Sequence, residues 1–232
     1  MKRFRSFLPL IVLIALGIVL LSSGVLNRLR PETLALEQAN LHAQIALHPL
    51  LAALAHITAM TLMISTGIPG MIVLVFAGGM LFGTVVGTFL TMIGVTLGAL
   101  ILFLVSRHAF GDHSDANAPG LVTRLRGGYL AHPISYTFFL RLVPFPFGGV
   151  TVALAWLRCP LWLFVTATVI GGTVMIGVET ALGAALARNI GEQQSINSSL
   201  LHDPAVLLPL AGLSLLALIP VLINKLRGGS GS

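Results

Sequence analysis

Of the 20 formal charges in this 232-residue chain, 18 fall in loops or at the ends of apolar runs, and only Arg141 and Glu179 stand inside them. A charge at the centre of a spanning helix costs roughly 2.5–3.5 kcal/mol. A chain that is 56% hydrophobic and 9% charged, and that keeps nearly all its charge out of its apolar runs, is an integral membrane protein. Residues 7–26 carry no charge and are long enough to cross about 30 Å of hydrocarbon. The basic start Met1-Lys2-Arg3-Phe4-Arg5 resembles a secretory signal, but the apolar run after it is too long for one and no small-x-small site closes it. It reads as an uncleaved signal anchor. The tail Gly228-Gly229-Ser230-Gly231-Ser232 reads as a linker and takes no part in the fold.

Residues 31–48 alternate Leu34, Leu36, Leu41, Ile45 and Leu47 with Glu37, Gln38, Asn40, His42 and Gln44, the pattern of an amphipathic helix on a membrane surface. From residue 50 the apolar runs become short and broken. Thr66-Gly67-Ile68-Pro69-Gly70 interrupts the first after sixteen residues, and Met71 to Phe82 follows at once. Neither piece spans comfortably alone. Together they predict a hairpin that enters the bilayer and returns, followed by a crossing helix to Ser106. Broken backbone survives at membrane depth only where protein or a wet cavity satisfies its polar groups. After a polar loop the plan repeats: Pro133 to Val143, a break at Pro144-Phe145-Pro146-Phe147-Gly148-Gly149, a return to Leu157, and a crossing helix from Leu161. The expected architecture is therefore all-α: a first span at 7–26, a repeat at 50–106, a repeat of inverted topology at 133–187, and a last span at 205–224. Interrupted segments at corresponding places in two halves point to a transport site.

The charge distribution fits. Nine basic residues (Lys2, Arg3, Arg5, Arg107, Arg124, Arg126, Arg158, Lys225, Arg227) fall on the side this topology makes cytoplasmic, and three (Arg28, Arg30, Arg188) on the other. That bias places the N-terminus in the cytoplasm. Trp156 and Trp162 flank Arg158 as an interfacial belt would. The net charge of +6 is explained by these flanks and needs no nucleic-acid partner. The single Cys159 excludes an intramolecular disulfide and a cysteine zinc cluster, and it reads as a small filler. There is no H-E-x-x-H, Gly-x-Ser-x-Gly or Walker loop and only one intramembrane acid, so no enzyme, metal site or cofactor is expected.

The polar residues left over are the candidate site. Arg141 lies eight residues past Pro133, about 12 Å deep in a helix. Its planar fork of donors suits a phosphate, and the competing reading is that it ties hairpin carbonyls together. Glu179 pairs with Arg141, carries a coupling proton, or faces outer-side water. Pro69, Gly70, Pro144, Pro146, Gly148 and Gly149 form the hairpin tips, where helix ends offer N–H groups to an anion. Arg107, Arg124 and Arg126 gather anionic headgroups at the cytoplasmic face or simply anchor the topology. His108, His113 and His132 make a poor metal site, and His56 is expected to hydrogen-bond within the first hairpin. Gly79, Gly83 and Gly87 at four-residue spacing predict a smooth packing face, as do Gly94 and Gly98.

Pro69-Gly70, Ala77-Gly78-Gly79-Met80-Leu81-Phe82-Gly83, Gly87, Gly94, Gly98 and Ser106-Arg107 together resemble the first half of the DedA superfamily, also called the VTT-domain or SNARE-associated Golgi protein family. Leu140-Arg141-Leu142-Val143-Pro144-Phe145-Pro146-Phe147 resembles its second signature. The resemblance covers roughly residues 50–187. It implies two re-entrant hairpins meeting in the membrane and movement of lipids between leaflets, undecaprenyl phosphate in bacteria and phospholipids in eukaryotes. The expected function is thus a flippase or scramblase for a phosphate-headed lipid in a plasma membrane, that of a bacterial inner membrane, with proton or sodium coupling. The same cavity would serve a small-anion or ion transporter, and a non-transporting membrane assembly factor is the reading from another class. Substrate, coupling ion and oligomeric state are left open by the sequence.

Overall fold

The computed structural model describes residues 2–22, 38–67, 70–110, 120–142, 146–193, 207 and 211. Among these residues the chain is all helix, with no strand. In chain order the helices are α1 (Lys2–Ser22), α2 (Gln38–Leu47), α3 (Pro49–Ser65), α4 (Met71–Phe110), α5 (Gly120–Ala131), α6 (Pro133–Leu142), α7 (Phe147–Trp156) and α8 (Leu161–Gln193). By length and composition α4 and α8 can cross a membrane. Of the anticipated last span at 205–224 only residues 207 and 211 are described, and the first part of the amphipathic segment lies outside the described residues.

Helix α4 is two helices. Gly83 has φ 76° and ψ 177°, a combination essentially reserved for glycine. A straight helix would put Gly78 and Gly87 about 13.5 Å apart. Here a Cβ on Gly87 would lie 2.6 Å from the Gly78 carbonyl oxygen, so the chain turns back sharply at Gly83. The expected packing face Gly79-Gly83-Gly87 is therefore corrected: Gly83 is the bend, and Gly87 faces Gly78 across it. The regular spacing arises because a symmetric turn brings small residues on both arms into contact. Residues 71–82 fold back as a short returning arm against residues 84–110, an arm long enough to cross a membrane.

Contacts fix the directions. On α3, Ile57 and Met60 pack at Gly94, and Thr61 and Ile64 at Gly98. Residue numbers rise together, so α3 runs parallel to the crossing arm of α4. Its tip stops at Leu102, whose side chain would lie 3.7 Å from a Cβ on Gly67. That is eight residues, about 12 Å, short of the end of α4. Helix α8 runs the other way: Phe103 stacks on Phe164, Met92 lies at Gly172, and Thr88 at Gly177. Helix α6 follows α8 in parallel, with Thr137 at Cys159 and Arg141 at Phe164 and Gly171. The two hairpins thus come in from opposite ends of the antiparallel α4–α8 pair. One apolar core joins them, including Met60, Val75, Val95, Phe103, Leu154, Leu163 and Phe164. Small residues at the crossings permit this close approach, which is what holds helices together when lipid tails are as apolar as the interface.

Two peripheral elements depart from expectation. The amphipathic segment becomes α2, bent by 110° from α3 at the His48–Pro49 junction, with Leu41 packed on Ala77, Met80 and Ala187. Proline at the first helical position of α3 starts a new helix there. The polar loop between the repeats contains α5, which buries Tyr129 in the core. Its glycines and charges obscured that helix in the sequence.

Candidate functional site

The hairpin tips touch. A Cβ on Gly148 would lie 2.9 Å from both the Cα and the carbonyl oxygen of Gly67, so the second break is pressed against the first through bare backbone. Gly70 and Gly149 are open by comparison: a Cβ on the first meets nothing within 4 Å, and on the second only the Pro146 ring at 4.0 Å. Pro146 caps α7 without any side-chain hydrogen bond. The N-cap residue therefore offers no side-chain acceptor to the first N–H groups of α7, groups of the kind that bind anions at helix starts. Pro69 and Pro144 lie outside the described residues.

Arg141 sits behind the second tip, 6% exposed. Its Nη2 donates to Thr151 Oγ1 at 3.1 Å, and that hydroxyl donates to the Phe147 carbonyl at 2.9 Å. Its guanidinium carbon is 4.4 Å from the Phe147 ring centre and 4.8 Å from that of Phe164. A guanidinium clamped between two rings gains about 2 kcal/mol from each when desolvated. Withdrawing the charge from water costs several. Among the described residues, Nε and Nη1 are buried with no hydrogen-bond partner, and each orphan donor costs about 1–3 kcal/mol more. The protein groups around Arg141 hold its plane but leave part of its donor set unmet. Among the described residues its side-chain hydrogen bond goes to a hydroxyl and not to a hairpin carbonyl.

Glu179 does not answer that need. It is buried, its Oε2 has no partner, and no ion pair joins it to Arg141. Gly171 packs on the Arg141 Cβ, and Glu179 is eight residues farther along α8, about 12 Å. Its neighbour Thr180 bonds Thr88 at 2.5 Å and packs under Gly79, so this carboxylate belongs to the end of the bundle where the first hairpin starts. Of its three readings, the pairing with Arg141 is not made in this structure. His56 lies at the same end, its Nε2 2.9 Å from Thr91 Oγ1. That bond reaches the crossing arm of α4 and not the hairpin itself, because α3 lies flush against the arm at Gly94 and Gly98.

The basic residues of the middle segment separate. Arg107 is exposed, donates from Nη1 to the Cys159 carbonyl at 3.2 Å, and lies 5.9 Å from the Phe103 ring centre. Arg126 is half-buried on α5, and Arg124 is on the same helix. Cys159 is fully buried against Thr137 and Tyr129. Burial pushes its thiol pKa up from the ordinary value, more than the hydrogen bonds from Tyr129 and Thr137 lower it, which fits a filler and not a nucleophile. Phe147, Thr151 and Phe164 were missed as site residues. The i, i+4 pair Phe147 and Thr151 directly after the proline break was the available signal; Phe164 had none.

Residues 68–185 match the VTT domain family model, which takes in both arms of α4, the second hairpin with Arg141 and α8 as far as residue 185, and leaves out α3. Over 167 residues the chain is 32% identical to the Transmembrane protein 41 homolog of Dictyostelium discoideum, covering 68% of this chain and 47% of that protein. The chain therefore spans about half the length of the curated relative it matches. No solved structure matches it. The match across both halves, on an all-α frame with helices able to cross a membrane, makes this chain a membrane protein of the VTT-domain, or DedA, family.

Proposed function

We propose that the protein moves an anionic, phosphate-headed lipid between leaflets, with Arg141 as the residue that holds the headgroup. The observation that carries this reading is the incomplete satisfaction of Arg141. A buried cation with Nε and Nη1 unbonded among the described residues, stacked on Phe147 at the start of a helix whose proline N-cap offers no side-chain acceptor, is a site for an anion. Phosphate fits it best. It accepts several hydrogen bonds at once, and the orphan donors become charge-assisted bonds worth about 1.5–3 kcal/mol each. Hairpins inserted from opposite ends, meeting at bare backbone, support an arrangement that alternates access around a fixed point. In this reading the N-terminus is cytoplasmic, the membrane is a bacterial inner membrane, and Glu179 is the group for a coupling proton or sodium ion.

The test is reconstitution into liposomes with a labelled phosphate-headed lipid in one leaflet. Wild type should equilibrate the label between leaflets faster than empty vesicles, and Arg141→Gln should return the rate to background while the protein stays folded. Flux of inorganic phosphate without lipid movement would replace the lipid reading with the small-anion one. Neither flux, with intact protein, would leave the assembly factor.

A further inference from the structure

Two exposed arginines meet at the turn that closes the second hairpin, one through its backbone and one through a hydrogen bond, and that turn holds an arginine where glycine is the relaxed choice. Helix α7 ends in a paired closure: Cys159 N–H donates to the Leu154 carbonyl at 3.0 Å and Arg158 N–H to the Ala155 carbonyl at 3.1 Å. In this motif the residue before the last sits in the left-handed region, and glycine is its usual occupant. Here it is Arg158, with φ 56°, the only non-glycine residue of positive φ among the described residues. A side chain in that conformation costs about 1–2 kcal/mol. Strain of this size at a turn directs attention to what the side chain does. Arg158 is exposed, and so is Arg107, which the bond to the Cys159 carbonyl ties to the next residue of the same turn. Four residues after Arg158, at the start of α8, Trp162 is 61% exposed. Arg158 on this turn, Arg107 bonded to its next residue from α4, and an exposed indole four residues on combine anion-binding groups with an interfacial ring that sits at headgroup level.

From Arg107 the stack runs inward. Arg107 lies over Phe103, Phe103 stacks on Phe164 at 4.2 Å and 27°, and Phe164 forms one face of the clamp on Arg141. The exposed and the buried arginine thus flank one aromatic pair, at the end of the bundle where α6 starts its descent to the tips.

We propose that Arg107 and Arg158, with Trp162 beside them, form a docking site for the headgroup of an anionic phospholipid, distinct from the Arg141 site and leading to it. The occupant is a lipid and not free phosphate because the cations border the outward-facing start of α8, where Leu161, Trp162 and Val169 are exposed apolar surface for acyl chains. Docking itself needs no transport. Its role as the step before Arg141 rests on the function proposed above.

Trp156 and Trp162 are the protein's two tryptophans, which supplies the assay. In the Trp156→Phe background, Trp162 is the sole indole. The full chain is reconstituted in phosphatidylcholine bilayers doped with dibrominated phosphatidylglycerol or, at equal mole fraction, dibrominated phosphatidylcholine, and quenching of Trp162 is read. Phosphatidylglycerol should quench at a roughly 25-fold lower mole fraction, about fivefold for each of the two charges. Arg107→Gln/Arg158→Gln should abolish the preference, about fivefold for each charge removed. Arg107→Lys/Arg158→Lys should keep most of it. If the double glutamine variant does not fold, Arg158→Gln alone should lose about half of the preference on a logarithmic scale. Equal quenching by the two lipids in the arginine protein, or an undiminished preference in a folded glutamine variant, overturns the proposal. So does loss of the preference on adding inorganic phosphate in excess, which would mark a free-anion site. Arg141→Gln should leave the preference intact. A preserved preference in a protein that moves no lipid would keep the docking site and discard the transport reading.

Discussion

At Arg141 the decisive quantity is geometry and not charge. Lysine would keep the positive charge but could neither lie flat against Phe147 and Phe164 nor offer a phosphate the rigid bidentate fork of a guanidinium. Arg141→Lys should therefore fold, and should lower lipid movement in liposomes at least tenfold, a loss of about 1.4 kcal/mol or more. Activity equal to wild type would reduce Arg141 to a point charge. Arg158 gives the opposite sign. Arg158→Gly relieves the φ 56° strain and should raise thermal stability in detergent by about 1 kcal/mol while weakening anionic-lipid docking. At Cys159, burial keeps the thiol protonated. Maleimide labelling of the folded protein should stay slow at neutral pH and should begin only above the pH at which an exposed cysteine reacts. The unfolded chain ionises this thiol first, so its contribution to stability is present below the ordinary thiol pKa and declines as pH rises past it.

Among the elements, the bend in α4 decides whether the first hairpin exists. A Cβ on Gly83 would meet nothing within 4 Å, so any cost of Gly83→Ala is backbone strain alone, about 1–3 kcal/mol. A thermal-shift series in detergent would read it, and an unchanged melting temperature would contradict the turn. Gly148→Ala tests a different thing, since its Cβ would press on the Gly67 backbone and force the tips apart. The sequence announced the hairpin breaks openly, through Thr66-Gly67-Ile68-Pro69-Gly70 and Pro144-Phe145-Pro146-Phe147, because proline and glycine act locally on the backbone. It did not announce the bend at Gly83. Glycines at four-residue spacing fit a packing face equally well, and only the contact between Gly78 and Gly87 separates the two. Helix α5 was hidden for a similar reason: its amphipathic face is a single buried Tyr129 supplied with a partner by a turn thirty residues later.

In the molecule as a whole, the two buried charges are far enough apart to act separately. If Glu179 carries a coupling proton, Glu179→Gln should flatten the pH dependence of lipid movement in liposomes without altering anionic-lipid docking at Trp162. Superimposable pH profiles for the two proteins would remove Glu179 from the cycle and favour an uncoupled scramblase. By itself the sequence determined the membrane class, the apolar runs, the places where they break and the residue types available for an anion, since each of these depends on composition and local backbone chemistry. The tertiary structure alone decided that Gly67 meets Gly148, that Arg141 is clamped by Phe147 and Phe164 with two donors unmet, that Glu179 is not its counter-ion, and that Arg107 reaches the Cys159 turn. Those facts depend on the crossing of helices distant in the chain, and the packing of small residues that sets those crossings leaves no local periodicity to read.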